Sequence, residues 1–498
     1  MAVREDEAEV VVVGFGGSGA AAAITAHDLG GEVVVLEAQP PESHWPQTKL
    51  LGGGGMFVAD VERGAAYLTA CADGFTPPSV CRAWAEKALD LFAWIEALDP
   101  EHYRLTDPAP SAEHPEFPGA ETIVSSSGLR IDRDGGRSPV RGAHMFLALQ
   151  AALERRGVPV RYGCRAKRLL QDAQGRVIGV EYEQAGKLRQ VRAGRGVVLA
   201  CGGFGSNEEL KRQYLPAYPA FFYGNPEQPG DGVLMAQAVG AALWHMSLMM
   251  GRGVANFRLE DGRDLSVAVT LRPLDGPAGS VGYVITDQQG QRFANEAVQA
   301  SMGHAFYMQM LAYGPHGERP RVPSYWFFDE RRRRAGPICL AGYGSLAARG
   351  YDWSEDNSRE IAEGWIAHGT TPAEAAAAAG VADPQAAARS IANYNQLCAA
   401  GGQDAFGRPA ETLVPLDQGP FYCVPLWPGG TNTAGGPRRD EGGRIIHAFG
   451  HPIPGLFGAG ELGLGMGAFY PGLSGYYSEV LCSGRIAGEG VMSERATG

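Results

Sequence analysis

Three glycines near the start of the chain have the spacing that binds the pyrophosphate of a dinucleotide. Gly14, Gly16 and Gly19 form a GxGxxG pattern, and Glu37 follows roughly 20 residues later. The first glycine permits a tight turn, the second lets the backbone approach a phosphate, and the third lets a helix pack on a strand. Glu37 would accept hydrogen bonds from a ribose. The pattern leaves FAD and NAD open as alternatives.

A βαβ unit must position these residues. The apolar run at residues 9–13 predicts a strand, the alanine-rich run at 20–29 a helix, and the run at 32–36 a second strand. Further strands are predicted at 158–162, 176–182 and 197–200, with a polar hairpin, QDAQGR, between two of them. The pattern predicts an α/β fold with a Rossmann-like nucleotide-binding domain.

Composition limits the classes of protein and of partner. The 498 residues, 45% hydrophobic and 20% charged, indicate a folded chain of two domains. A net charge of -12 disfavours nucleic acid as a partner. The eight cysteines lack a CxxC spacing, which argues against a metal or haem site and favours a reducing, cytoplasmic setting. No apolar run approaches the roughly 20 residues of a membrane span.

The middle of the chain differs in character from its two ends. Residues 250–415 contain short aromatic stretches, a basic run at Arg331 to Arg334, and an alanine-rich helical pair between Pro372 and Ala400. We therefore predict one discontinuous domain of residues 1–249 and 416–498, with residues 250–415 inserted as a second domain.

Seven motifs, in this order, carry a resemblance to a known family. They are GGGG (52–55), VVLACGGFGSN (197–207), GDGVLMA (230–236), GQRFANE (290–296), TAGG (433–436), PIPGLFGAGE (452–461) and YPGLSG (470–475). The chain resembles the fumarate reductase and succinate dehydrogenase flavoprotein superfamily, most closely its 3-ketosteroid dehydrogenase branch. The resemblance implies an FAD-binding domain of the GR2 type with an inserted α+β capping or substrate domain.

The resemblance also implies which residues contact FAD. Ala166 is expected near the adenine and Glu461 on the ribityl chain, and the last helix, starting near Ser474, should aim its N-terminus at the flavin. Asp231, in a GDG turn, is equally explained as a turn former. The full predicted set is Gly14, Gly16, Ser18, Gly19, Glu37, Ala38, Gly53, Gly54, Ala166, Ala200, Gly202, Asp231, Glu461 and Ser474.

Covalent attachment of FAD occurs in this superfamily through a histidine shortly before the glycine loop. His44 stands eight residues before Gly52 but lacks the surrounding pattern. We predict non-covalent FAD and interpret His44 as a surface or loop residue.

The residues that read a dicarboxylate in fumarate reductases are absent. Asn432 stands where their histidine would fall, Tyr470 where the arginine of their NRxGG turn would fall, and Ala300 where their proton-delivering arginine would fall. Since guanidinium pairing suits a carboxylate, a dicarboxylate substrate is disfavoured.

The YPGLSG segment resembles instead the YxGxG turn of 3-ketosteroid dehydrogenases. The resemblance implies that the Tyr470 hydroxyl and the Ser474 backbone N–H bind a ketone oxygen and stabilise an enolate. The alternative is a core tyrosine that closes a turn before the last helix.

The proton acceptor departs from the family pattern. Ala300 and Glu113 replace the two tyrosines that Δ1-dehydrogenases carry, in a loop that is otherwise recognisable as EHPEFPG. We take Glu113, with His114 beside it, as the candidate acceptor. Tyr307 and His304 are rivals.

The leading hypothesis is therefore an FAD-dependent enzyme that desaturates the α,β C–C bond of a cyclic, apolar ketone, steroid- or polyketide-like. Enone or fumarate-type C=C reduction and a flavin electron-transfer role without substrate chemistry are the alternatives. No second nucleotide motif and no haem motif is visible, so a separate electron acceptor or donor is expected.

Overall fold

The computed structural model describes residues 5–131, 137–139, 142–301 and 303–495. These residues form two compact units. The first holds the described residues up to Leu210, Glu227–Leu248, and those from Thr433 onward; the second holds Lys211–Pro226 and Met249–Asn432. The second unit is thus wider than the predicted insertion at 250–415, and its capping role stays a prediction.

The described residues contain 22 strands, which are, in chain order, β1 (Glu5–Val13), β2 (Val33–Leu36), β3 (Gly54–Val58), β4 (Tyr103–Leu105), β5 (Ala109–Pro110), β6 (Ile123–Ile131), β7 (Arg137–Pro139), β8 (Val160–Arg161), β9 (Cys164–Gln171), β10 (Val177–Gln184), β11 (Lys187–Leu199), β12 (Phe221–Phe222), β13 (Leu243–Trp244), β14 (Met249–Arg258), β15 (Asp264–Val267), β16 (Tyr283–Thr286), β17 (Ser324–Asp329), β18 (Ala367–Gly369), β19 (Phe421–Thr433), β20 (Gly436–Pro437), β21 (Arg444–Ile446) and β22 (Pro452–Gly458).

The same residues contain 16 α-helices, which are α1 (Gly17–Asp28), α2 (Gln47–Leu50), α3 (Val61–Ala72), α4 (Pro78–Leu89), α5 (Leu91–Leu98), α6 (Gly142–Arg155), α7 (Glu208–Tyr214), α8 (Asp231–Ala238), α9 (Glu296–Ala300), α10 (Phe306–Met310), α11 (Glu330–Arg334), α12 (Ser345–Arg349), α13 (Ser358–Ala362), α14 (Pro372–Ala379), α15 (Pro384–Ala400) and α16 (Gly475–Ser493). Not one of these helices combines the length and the apolar character needed to cross a bilayer.

The main sheet of the first unit has eight strands in the order β21-β22-β11-β1-β2-β8, with β10 and β9 continuing from β11. β1 runs parallel to both β2 and β11, and its residues Val10, Val11 and Val12 are fully buried. A parallel strand buried on both faces reads as a continuous apolar run, which is the pattern of residues 9–13. The predicted α/β, Rossmann-like fold is confirmed.

The first and last helices of this unit pack closely together because both have small residues at the contact. A Cβ added at Gly484 of α16 would overlap the carbonyl oxygen of Ser18 in α1, and one at Gly488 would lie 2.7 Å from the Ala22 oxygen. The two helix axes can therefore approach more closely than larger side chains would allow.

A second, antiparallel sheet of the first unit supports the loops described below. β6 is its central strand and pairs with β3, β4, β5 and β7. The loop of residues 111–119 follows β5 and leads back, through a 3-10 turn at Ala120–Thr122, into β6.

The second unit is built on a seven-stranded sheet whose central strand, β19, pairs with β14, β17, β12 and β18. A buried charge network stabilises it beside this sheet. Arg292 donates two hydrogen bonds to Glu296 (2.8 and 2.7 Å) and one to Asp404 (2.7 Å), and Glu296 is fully buried. Arg292 and Glu296 of the GQRFANE motif therefore stabilise the second unit, and their presence needs no catalytic role to explain it.

Candidate active site

The glycine turn joins β1 to α1, and its three motif glycines have different reasons to be glycine. Gly14 has φ 103°, and a Cβ there would lie 2.5 Å from the Ala200 oxygen; a Cβ at Gly19 would overlap the Gly14 oxygen. A Cβ at Gly16 would meet nothing in the protein closer than Pro46, at 3.9 Å. Internal packing thus requires the first and third glycines, whereas the second leaves the backbone accessible, which fits an FAD pyrophosphate.

Glu37 directly follows β2 and is 8% exposed. Its carboxylate accepts hydrogen bonds from the backbone N–H of Phe15 and of Gln39, each at 2.8 Å. Although burial acts to raise its pKa, these bonds and the His44 ring hold the pKa of Glu37 below its usual value. An ionised carboxylate beside the glycine turn fits the predicted ribose acceptor.

His44 lies in a loop, as we interpreted it from the sequence, but it is buried rather than at the surface. It follows the short 3-10 turn Pro41–Ser43 but is only 4% exposed. Its ring stacks on Phe15, with ring centroids 5.5 Å apart, and its Nε2 lies 3.5 Å from a Glu37 oxygen. The aromatic contact explains the burial, and it places His44 against the glycine turn.

Of the other predicted cofactor residues, Ser18 and Ala200 lie close to this turn. Ser18 is buried in α1, where a Cβ on Gly460 would overlap its hydroxyl, and Ala200 directly follows β11. Ala38 is exposed after Glu37. Gly53 directly precedes β3 and Gly54 begins it.

Asp231 and Ala166 lie close to each other in the first unit. Asp231 begins α8, and Arg165 of β9 donates two hydrogen bonds to its carboxylate (2.8 and 3.0 Å). Together with Ala166 they line a groove of about 580 Å³. The ion pair accounts for Asp231 structurally, so its contact with FAD stays a prediction.

Glu461 lies fully inside the first unit, close to the glycine-rich segment after β11. Its Oε2 accepts hydrogen bonds from Gln228 Nε2 (2.8 Å) and from the Tyr476 hydroxyl (3.0 Å). A Cβ at Gly203, next to Gly202, would lie 2.6 Å from its other oxygen. Burial raises the pKa of Glu461 to about 8, against the effect of both hydrogen bonds. This carboxyl can hold a proton near neutral pH.

The predicted ketone-binding residues lie at the N-terminus of α16. The Tyr470 hydroxyl accepts a hydrogen bond of 3.0 Å from the Tyr476 N–H in the first turn of that helix. Ser474 is the N-cap residue and has φ 62°, a conformation that is rare outside glycine. No hydrogen bond among the described residues uses the Ser474 N–H. Two candidate donors therefore flank one helix terminus.

The loop that carries Glu113 and His114 pairs with this same turn. Ala112 and Gly472 form an antiparallel bridge, and the Glu113 N–H donates to the Pro471 oxygen at 3.2 Å. The His114 ring lies 5.2 Å from that of Phe469. The structure thus brings the four predicted catalytic residues onto two segments that are hydrogen-bonded to each other.

The rival proton acceptors, Tyr307 and His304, lie in the second unit, as do Ala300 and Asn432, which stand where fumarate reductases carry other residues. Ala300 is buried in its hydrophobic core, and Asn432 is fully buried near the end of β19. Burial raises the pKa of Tyr307 to about 12, which makes it a poor proton acceptor. His304 Nε2 lies 3.2 Å from the guanidinium of Arg252, a side chain only 3% exposed.

Three residues of interest were not singled out from the sequence. Tyr476 joins Tyr470 to Glu461, Gln228 holds Glu461, and Arg252 contacts His304. Tyr476 stands next to the YPGLSG motif, which offered a signal. Gln228 and Arg252 lie outside any motif, so only their burial reveals them.

Comparison with known proteins identifies the family. The FAD binding domain model matches residues 9–475. The chain belongs to this family. It is accordingly a flavoprotein oxidoreductase, and the predicted cofactor, FAD, is confirmed.

Both a fumarate reductase and a ketosteroid dehydrogenase are similar to this FAD-binding chain. The fumarate reductase (cytochrome) of Shewanella frigidimarina is 26% identical over 501 residues, covering 97% of this chain and 77% of that protein. The 3-oxosteroid 1-dehydrogenase of Mycobacterium tuberculosis is 26% identical over 584 residues, covering 97% of each. The predicted superfamily is confirmed, with relatives on both its fumarate reductase and its ketosteroid dehydrogenase sides.

The fold has a counterpart among solved structures. The 3-ketosteroid Δ1-dehydrogenase of Sterolibacterium denitrificans, in complex with 1,4-androstadiene-3,17-dione, superposes with a TM-score of 0.80 at 20% identity, covering 98% of this chain and all of that one.

Proposed function

We propose that this flavoprotein desaturates the α,β C–C bond of a cyclic, apolar ketone, steroid- or polyketide-like. The observation that carries the proposal is the hydrogen bond of 3.0 Å from the Tyr476 N–H to the Tyr470 hydroxyl. A hydroxyl that accepts a hydrogen bond from a helix N-terminus becomes a stronger donor, because the helix dipole favours negative charge on its oxygen. Such a donor suits an oxygen on which negative charge develops.

Tyr470 and Ser474 would act together on the ketone oxygen. The tyrosine offers its O–H and Ser474 its backbone N–H, and both stabilise the charge that appears when a proton leaves the α-carbon. Loss of one such donor typically costs a factor of about 10² to 10³ in rate.

Glu113 is our candidate for the group that takes the α-proton, with His114 as its neighbour. The antiparallel bridge between Ala112 and Gly472 keeps the Glu113 loop next to the Tyr470 turn. A base must come within hydrogen-bond reach of the proton that it removes, and this pairing supports that geometry.

FAD supplies the two-electron acceptor when bound. We expect Gly16 and Glu37 to bind its pyrophosphate and ribose, and we expect it to be non-covalent. The position of His44 supports this, since its ring contacts Phe15 and lies close to Glu37, the residue predicted for the ribose rather than for the flavin ring. A cytoplasmic setting and a separate electron acceptor, such as a quinone or dioxygen, complete the proposal.

The second candidate is a C=C reductase of the fumarate type. The contact between Arg252 and His304 favours it, because a buried guanidinium beside an imidazole can read a carboxylate. A fumarate reductase and a 3-oxosteroid 1-dehydrogenase are equally similar to this chain, so similarity does not decide between the two candidates. Electron transfer without substrate chemistry is the third.

The test is anaerobic bleaching of the oxidised flavin band by a panel of saturated cyclic ketones, then by succinate, with fumarate added to the reduced protein. We expect bleaching by a ketone, slowed about 100-fold or more by Tyr470→Phe at unchanged FAD content. Tyr103→Phe is the control, because it removes a tyrosine hydroxyl that has no hydrogen-bond partner among the described residues.

Three outcomes would contradict the proposal. Bleaching by succinate but by no ketone would favour the fumarate-type candidate. Bleaching by neither would favour electron transfer. A Tyr470→Phe variant as fast as the wild type would exclude the role given to this hydroxyl.

A further inference from the structure

The hydroxyl of Tyr67, in α3, contacts both segments of the candidate active site. It donates a hydrogen bond of 2.6 Å to the Pro471 oxygen and accepts one of 3.2 Å from the His114 N–H. Tyr67 is fully buried, and its partner Pro471 is 404 positions away in the chain. One side chain thus joins the turn after Tyr470 to the loop that carries Glu113.

The Pro471 oxygen is the shared centre of this arrangement. It accepts from the Tyr67 hydroxyl and also from the Glu113 N–H, at 3.2 Å. Both hydrogen-bond partners of Tyr67 are adjacent in the chain to a predicted catalytic residue, since Pro471 follows Tyr470 and His114 follows Glu113. Removing the hydroxyl would take one hydrogen bond from the turn and one from the loop.

A second contact of α3 acts in the same direction. The Phe469 N–H donates to the Cys71 oxygen at 3.0 Å, and the Phe469 ring lies 5.7 Å from Phe117 in the loop. The helix therefore holds the chain on the N-terminal side of Tyr470 as well as on its C-terminal side, at Pro471.

Tyr67 itself has no role as an acid or base in this arrangement. Burial raises the pKa of its hydroxyl far above the ordinary value for tyrosine, so the group stays neutral at working pH. A neutral hydroxyl that both donates and accepts is suited to fixing geometry.

We propose that Tyr67 is a positioning residue, whose hydroxyl sets the separation between the proton acceptor on the Glu113 loop and the ketone-binding Tyr470. This inference rests on the proposed desaturase function. It adds a residue that contacts neither substrate nor cofactor, and it predicts that the rate of the chemical step depends on this hydroxyl although substrate binding does not.

The test compares Tyr67→Phe with Tyr103→Phe in the FAD-loaded protein. Each variant keeps its ring and loses one buried hydroxyl, but the Tyr103 hydroxyl lacks a hydrogen-bond partner among the described residues. In the first arm, amide hydrogen exchange is measured for peptides covering residues 111–117 and 469–474. We expect exchange about tenfold faster in Tyr67→Phe and unchanged in Tyr103→Phe, because the His114 N–H loses its acceptor. Equal exchange in the two variants would overturn the proposal.

In the second arm, flavin bleaching is followed with the ketone that the wild type oxidises. We expect the limiting rate of Tyr67→Phe to fall by about tenfold or more, with the half-saturating ketone concentration within about twofold of wild type. Faster exchange with an unchanged limiting rate would leave Tyr67 a purely structural residue and overturn the proposal. If no ketone bleached the wild type, the proposed function would fail, while a failure of the inference alone would show as a bleached wild type and an equally fast variant.

Discussion

At the scale of single residues, the carboxyl of Glu461 has surroundings very different from those of a surface glutamate. It is 3% exposed, it accepts hydrogen bonds from Gln228 and Tyr476, and its pKa of about 8 lies far above that of an exposed glutamate. The free-energy cost of burying the carboxylate charge exceeds the stabilisation that the two neutral hydrogen-bond donors provide. The residue predicted for the ribityl chain is thus one that gains a proton easily.

This raised pKa makes stability depend on pH. Because the folded chain keeps a proton on Glu461 that the unfolded chain loses above a pH of about 4.5, the free energy of unfolding falls as pH rises from about 5 to 8. We expect the free energy of unfolding of the wild type to fall by a few kcal/mol, on the order of 1.4 kcal/mol per pKa unit, over this range. In Glu461→Gln this fall should be absent, as measured by urea unfolding at several pH values. Glu121→Gln, at an exposed glutamate, is the control. A wild-type slope that survives in Glu461→Gln would show that other groups cause it.

At the scale of elements, α16 connects the candidate site to the rest of the first unit. Its first turn contacts Tyr470, Tyr477 donates to the Thr48 oxygen before the glycine loop, and Gly484 packs on α1. Further along, Glu479 forms a buried ion pair with Arg439, which precedes β21, and accepts from the Gly465 N–H at 2.9 Å. One helix thereby contacts the Tyr470 turn, the segment before the glycine loop and the helix that follows the glycine turn.

The ion pair of α16 gives a stability prediction. Both side chains are at most 3% exposed, and burial raises the pKa of Glu479 and lowers that of Arg439. Glu479→Leu alone leaves a buried guanidinium without its carboxylate and should cost about 3 to 5 kcal/mol of unfolding free energy. The double variant Glu479→Leu with Arg439→Met should recover most of that loss in urea unfolding. A double variant no more stable than the single one would contradict this account.

Elements with a strong apolar pattern could be predicted, and polar ones could not. The strand predicted at 32–36 is β2, and the predicted helix after the glycine turn is α1, although it begins at Gly17 because the third motif glycine, Gly19, belongs to its first turn. By contrast β9, with the polar sequence CRAKRLLQ, was missed, since its exposed residues break the alternation that identifies a strand.

The candidate site divides in the same way. Motifs identified Tyr470 and Glu113, whose residue types carry chemistry. The pairing of their two segments, and the tyrosine of α3 that joins them, depend on residues distant in the chain. Tyr67 lies in an amphipathic helix, and the pattern of that helix predicts only that its side chain is buried in the core.

At the scale of the whole molecule, the chain passes between the two units four times, at residues 210/211, 226/227, 248/249 and 432/433. The short segment 211–226 belongs to the second unit. Its β12 pairs with β19 through Phe221 and Phe222, and Tyr223 packs against Val254 and Ala268. The second unit therefore cannot be obtained intact as one stretch beginning at residue 249.

This connectivity is testable with fragments. We expect a fragment of residues 249–432 to be less stable than one of residues 211–432 by at least about 2 kcal/mol, because it lacks β12 and the buried Tyr223 side chain. Urea unfolding followed by circular dichroism measures the difference. Equal midpoints for the two fragments would show that residues 211–226 add nothing to this unit.

The close packing of α1 and α16 has a consequence for folding during translation. Translation makes α1, which ends at Asp28, long before α16, which begins only at Gly475. Domains that are contiguous can fold while synthesis continues, but this one must wait for α16. We expect a nascent chain to carry an unfinished nucleotide site until α16 has been made, so that FAD binding follows the synthesis of that helix.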